Sequence, residues 1–180
     1  MGPSRSSDSN VHKIFEFSYF SVLATDIENK DILGLMEKNI EKNKELLNGE
    51  VIVKALDFKS DLSQRDDLKN IEIVLAGDVI YDDDITKDFL KFIVNLHNKV
   101  TCDILKFIVA LEKRFVFTVA DLDTVAPAHD FFIDQLKHFS DNFKTHKIST
   151  NHINVDFPQH FCYERSQDMV MLEIVCQIKD

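Results

Sequence analysis

Short apolar runs alternate along the chain with stretches of helical periodicity, and that alternation predicts the order of the elements. Residues 20–25, Phe-Ser-Val-Leu-Ala-Thr, are apolar, contain β-branched side chains and end at Asp26, which predicts a buried strand. Ile32, Leu35, Met36 and Ile40 then recur at helical spacing, Glu28 and Asp31 suit a first turn, and Asn48-Gly49 is a stop signal. A second strand is expected over residues 50–56, a charged loop over 59–70 and a third buried strand over 71–76. Asp82, Asp83 and Asp84 open a helix that carries Ile85, Phe89, Phe92, Ile93 and Leu96. Residues 104–111 form an almost continuous apolar strand. Residues 124–143 follow as a helix with Pro127 in its first turn and Phe131, Phe132, Leu136 and Phe139 inside. Residues 144–156 and 168–178 lose the helical period and read as an antiparallel strand pair.

Strand-then-helix units of this kind predict the α/β class, a Rossmann-like open and mostly parallel sheet with an antiparallel carboxyl-terminal strand pair. At 180 residues the chain fits one domain, residues 11–180, behind a flexible polar tail of residues 1–10. The 44% hydrophobic and 29% charged composition argues against wholesale disorder. Against 31 Asp and Glu stand 21 Lys and Arg, and a net charge of −10 repels phosphate backbones, so nucleic acid is a poor partner. No apolar run approaches the roughly 18–20 residues needed to span a bilayer, and the first ten residues lack the apolar core of a signal peptide. The expectation is a soluble intracellular monomer, in nucleus or cytoplasm, with no membrane partner. Cys102, Cys162 and Cys176 are odd in number and share no Cys-x-x-Cys spacing, which suits reduced thiols. Seven scattered histidines show no ligand spacing, and Asp82, Asp83 and Asp84 point in different directions on entering a helix, so no metal site is expected.

In open α/β sheets, ligands bind beyond the carboxyl ends of the strands. Those ends carry Asp26, then Asp57 and Phe58, then Gly77, Asp78 and Tyr81, then Glu112, Lys113 and Arg114. Asp26, ending the second strand of a nucleotide-binding sheet, is placed to accept hydrogen bonds from ribose hydroxyls, or else to cap the next helix. Asp57 and Phe58 suit the exocyclic amine and ring face of an adenine, or else a turn and a core aromatic.

Asp78-Val-Ile-Tyr81, directly after an apolar strand and followed by three aspartates, resembles the Asp-x-x-Tyr signature of the seven-stranded protein-lysine methyltransferases of the methyltransferase-like family. Val22 to Asp26, Leu35 to Asn43, Leu56-Asp-Phe58 in place of Leu-Asp-Trp, Leu111 to Arg114, Phe157-Pro-Gln159 and Tyr163-Glu-Arg165 are similar to that family in the same order, over residues 20–178. The resemblance implies S-adenosylmethionine as cofactor, Asp26, Asp57, Phe58 and Gly77 as its contacts, and Asp78 and Tyr81 at the meeting point of cofactor and substrate amine. There a carboxylate can hold the amine and an aromatic ring can face a cation. The bland alternatives are a helix cap for Asp78 and a core aromatic for Tyr81.

The family's glycine-rich loop, which follows its first strand, has no counterpart among Gly2, Gly34, Gly49 and Gly77. The expected sheet is therefore incomplete at the first strand, the domain truncated at its amino terminus, with residues 13–17 as the only stand-in. Three functions stay open: methyl transfer to lysine of an intracellular protein, a basic one being favoured by the acidic surface; a catalytically inactive shortened form acting as an interaction module; and a small-molecule methyltransferase on the same scaffold.

Overall fold

Strand β1 (Ser21–Asp26), helix α1 (Lys30–Asn43) and strand β2 (Glu50–Ala55) open the described part of this computed structural model, which covers residues 21–118, 123–159 and 162–179. The sequence reading of residues 13–17 lies outside it. The chain forms two compact units, the first ending at Asp57 and the second beginning at Phe58.

In the first unit β1 and β2 pair in parallel, with Ser21 opposite Glu50 and Asp26 opposite Ala55. The Asn29 side chain starts α1 by accepting the backbone N–H groups of Asp31 (2.9 Å) and Ile32 (3.2 Å), two of the donors that a helix start leaves without partners. The half-buried stripe of α1 is Ile32, Leu33, Met36 and Ile40, whereas Leu35, expected on it, is 58% exposed. Leu33 and Leu35 both fit an apolar face by spacing, and only packing chooses between them.

The second unit holds β3 (Ile73–Gly77), α2 (Asp83–His97), β4 (Ile104–Glu112), β5 (Val116–Thr118), β6 (Asp123–Val125), α3 (Pro127–Asn142), β7 (His146–His152) and β8 (Met169–Ile178). Its main sheet has the order β3-β4-β8-β7. β3 and β4 are parallel, whereas β8 runs antiparallel to both β4 and β7, as the change of pattern after residue 143 predicts. The core is built on one face of this sheet. Leu105, Phe107, Val109 and Leu111 of β4 alternate inward and meet Leu172, Ile174 and Cys176 of β8, while α2 contributes Phe89, Phe92, Ile93 and Leu96 and α3 contributes Phe132 and Leu136. Each fully buried phenylalanine here contributes about 2–3 kcal/mol.

Two expectations shift. The third helix begins at Pro127, not at 124, because residues 123–125 pair with 116–118 in a short antiparallel ladder and the ring of Pro127 sets the first turn. The strands expected to be buried are largely exposed: β1 has no buried residue, and β3 has only Ala76, with Ile73 and Leu75 open to solvent. The physical reason is pairing. Among the described strands β1 bonds only to β2 and β3 only to β4, so each has one edge without a partner among the described residues.

Candidate functional site

In the first unit, Asp26 and Asp57 come to the same end of the β1–β2 ladder, where the Leu56 N–H donates to the Asp26 carbonyl at 2.8 Å. Asp26 is exposed, and its Oδ1 accepts the N–H of Ile27 at 2.8 Å. It does not cap α1, because Asn29 does. Asp57 is exposed just beyond β2.

In the second unit, Phe58 is half-buried with its ring 5.3 Å from that of Phe89 and 5.1 Å from that of Phe92, so α2 holds it as a packed aromatic. Gly77 ends β3, and Asp78 and Tyr81 lie on the loop between β3 and α2. An added Cβ at Gly77 would meet no heavy atom within 4 Å, so the packing of the chain itself does not demand glycine there. Ile80 anchors the loop from below at 3% exposure, while Tyr81 stands 54% exposed and is not a core aromatic.

Asp78 is the exceptional residue. Its φ of 54° is the only positive value at a non-glycine residue among those described. That left-handed conformation costs on the order of 1–3 kcal/mol for a side-chain-bearing residue, though aspartate tolerates it better than most. Two contacts hold it: the Asp78 N–H donates to the Ala110 carbonyl at 2.8 Å, extending the β3–β4 ladder by one bond, and Arg114 Nη2 donates to Asp78 Oδ2 at 2.7 Å. Both side chains of that pair are more than half exposed, so the pair contributes at most about 1 kcal/mol. Asp78 does not cap α2. Asp82 does, accepting from the N–H groups of Asp84 (2.9 Å) and Ile85 (3.0 Å). The three consecutive aspartates are thereby explained as a cap followed by two charges in the first turn.

The later motif residues gather at this same end of the main sheet. Ser166 donates to Glu112 Oε1 at 2.5 Å, and the Lys113 N–H donates to the Asp168 carbonyl at 3.0 Å. Arg165 reaches the Val155 and Phe157 carbonyls and lies 4.5 Å from the centre of the Phe157 ring, which closes the segment before β8. Arg114 stands among the strand-end residues by sequence, but its pairing with Asp78 is what sequence spacing misses. Its signal is topological: parallel pairing of Gly77 with Ala110 brings the residues just past each strand together.

The Asp78 carboxylate, on a strained turn at the end of β3, and its Arg114 partner are both held in solvent, where such groups can exchange a partner for a polar or charged ligand. The sequence profile described as lysine methyltransferase matches residues 11–138, a stretch that includes Asp26, Asp57, Phe58, Asp78, Tyr81 and Arg114. The chain is also 28% identical over 177 residues to Methyltransferase-like protein 22 of Mus musculus and of Homo sapiens, covering 87% of this chain and 44% and 43% of those proteins. It thus spans less than half the length of the curated relatives it matches. With the profile extending over most of its length, and with that profile's span holding the strained Asp78 and its arginine partner, the chain belongs to the lysine methyltransferase family.

Proposed function

We propose that this chain carries the S-adenosylmethionine-dependent methyl-transfer site of a protein-lysine methyltransferase. The observation that carries the reading is Asp78, kept in a left-handed backbone conformation with its carboxylate in solvent. A turn that needed only to connect β3 to α2 would place glycine or asparagine there.

The donor chemistry of the first unit fits the nucleoside part of the cofactor. Oδ2 of Asp26 accepts nothing among the described residues, and a strand-end carboxylate of this kind holds ribose hydroxyls. Asp57 suits the exocyclic amine of the adenine. Gly77 leaves the backbone at the end of β3 unscreened by a side chain. When bound, S-adenosylmethionine supplies a methyl group on a positively charged sulfur.

In the second unit Arg114 fixes Oδ2 of Asp78 and leaves Oδ1 to accept an N–H of the incoming lysine, so Asp78 orients the amine. The amine reacts only when neutral, and the exposure of the pair lets its proton pass to solvent. Tyr81 presents the negative face of its ring to positive charge. A net charge of −10 favours a basic protein segment as substrate, and three free cysteines suit an intracellular protein of the nucleus or cytoplasm. No helix among the described residues is long and apolar enough to cross a membrane.

A second reading, a noncatalytic interaction module, is favoured by one observation: the four glycines are dispersed and supply no loop for the methionine end of the cofactor. Calorimetric titration of the full chain with S-adenosylmethionine separates the two. A micromolar dissociation constant, about 8 kcal/mol of binding, is expected for the enzyme, whereas silence at millimolar cofactor leaves the module.

A further inference from the structure

At the opposite end of the main sheet from Asp78, two histidines and a cysteine are buried together. His97 is the last residue of α2, His146 the first of β7, and Cys176 lies on β8. Their exposures are 4%, 3% and 0%. Cys176 pairs with Leu105, next to the start of β4, and with Ile148, two residues on from His146, so His146 and Cys176 face the same side of the sheet. The two imidazole rings stand perpendicular with centroids 5.0 Å apart. One ligand atom from each of the three residues lies within 4.8 Å of the other two.

The hydrogen bonding dictates which atoms are available. His97 Nε2 lies 3.1 Å from the Asp103 carbonyl oxygen. A carbonyl only accepts, so Nε2 carries the proton and Nδ1 keeps a lone pair. His146 Nδ1 lies 2.8 Å from the Thr145 hydroxyl, which can accept its proton and leave the lone pair on Nε2. Those two remaining nitrogens, His97 Nδ1 and His146 Nε2, are the buried side-chain atoms without a hydrogen-bond partner among the described residues. Orphaned buried acceptors are rare because each carries a full desolvation cost. A second nitrogen bonded to a carbonyl or hydroxyl, with the first left bare, is the arrangement that orients metal-bound histidines.

We propose that His97, His146 and Cys176 form a buried site for a thiophilic transition-metal ion of the zinc type, tying the end of α2 to the β7–β8 pair. Two imidazoles and a thiolate select zinc-like ions over calcium or magnesium. In a tetrahedral zinc centre the ligand atoms lie about 3.3–3.7 Å apart, so a spread within 4.8 Å closes by side-chain rotation of about an ångström. Binding breaks the S–H bond of Cys176 and forms a metal–sulfur bond; the proton leaves to solvent and both histidines bind neutral. Burial favours the neutral form of both side-chain types, pushing the Cys176 thiol up to about 12 and lowering His146, so the cation is what stabilises the thiolate. Water completes a fourth position where the protein supplies three ligands.

The test uses the full chain with any affinity tag removed and with Cys102→Ser and Cys162→Ser, which leaves Cys176 as the sole thiol. Elemental analysis is expected to find about one zinc per folded chain, and Co²⁺ added after chelation is expected to give a thiolate-to-metal charge-transfer band that Cys176→Ser abolishes. In the unaltered chain, zinc at about a hundredfold excess over its dissociation constant is expected to raise Tm by about 5 °C or more, and this also serves if the double serine variant does not fold. A folded chain that takes up neither ion at micromolar concentration and gains no Tm overturns the proposal. So does a charge-transfer band that survives Cys176→Ser made alone in the otherwise unaltered chain, since the thiolate would then be Cys102 or Cys162.

Discussion

Replacing Asp78 by glycine and, separately, by alanine tests whether its conformation is retained for chemistry and not for folding. Glycine at a φ of 54° relieves strain of about 1–3 kcal/mol but loses about 0.4–1 kcal/mol through the greater freedom of the unfolded chain. Either substitution also removes the 2.7 Å ion pair with Arg114, worth at most about 1 kcal/mol at that exposure. Asp78→Gly should therefore lie within about 1 kcal/mol of the parent, or above it. Alanine keeps the strain, loses the ion pair and lacks the local hydrogen bonding that lets aspartate occupy this region, so Asp78→Ala should be less stable than the parent by about 1 kcal/mol. The order glycine above alanine reverses the usual one. Urea unfolding midpoints at constant m give the comparison, and methyl transfer should be lost in both variants. Alanine equal to or above glycine would refute the strain argument. Full turnover by either variant would remove the carboxylate from the mechanism.

Asp26→Ala should leave stability unchanged, since Asn29 caps α1, and should weaken S-adenosylmethionine about 10- to 100-fold by calorimetry, the worth of a charged hydrogen bond; an unaltered dissociation constant would assign the ribose elsewhere. Leu75→Thr, on β3 and at a side chain 79% exposed, should lower self-association in light scattering without moving the unfolding midpoint, and a large loss of stability would mean that Leu75 is covered in solution. Lys69 and Lys99 hold the Asp66 carboxyl below its ordinary 3.8, so its contribution is complete above that pH and disappears as pH falls through the lowered value. Asp66→Asn should accordingly differ from the parent at neutral pH and converge with it in acid, and a gap that stays constant down to pH 2 would contradict the ion pairs.

What the sequence reveals depends on whether the cause is local. Helix α2 is legible because its stripe of Phe89, Phe92, Ile93 and Leu96 and its Asp82 cap lie within one short stretch, and the antiparallel β7–β8 pair shows in the loss of helical period. Asp26 and Asp78 are legible as strand-end carboxylates, but whether they cap helices is decided by which neighbour reaches the free N–H groups, Asn29 in one case and Asp82 in the other. The left-handed turn carries no signal in a non-glycine residue. Arg114 reaches Asp78 only through strand pairing, and exposure of β1 and β3 follows from what lies along their second edges, which periodicity does not record. His97, His146 and Cys176 come from three distant elements, so no spacing rule finds them.

The two ends of the main sheet treat polar groups in opposite ways. At the carboxyl end of β3 the charges of Asp78 and Arg114 stay in water, where each is cheap to keep and free to exchange its partner for a ligand, and the local expense is backbone strain. At the other end two imidazoles and a thiol are shut away from water, where an unpartnered nitrogen is costly and a bound cation would relieve two of them at once. The first arrangement is open to exchange of its partners with solvent or a ligand. The second is not, because anything bound there is reached only by opening the packing of α2 against the sheet, so its effect is on whether α2 stays docked. α2 runs from Asp83, capped by Asp82 directly after Tyr81, to His97, so one helix joins the loop that holds Asp78 to the proposed metal site.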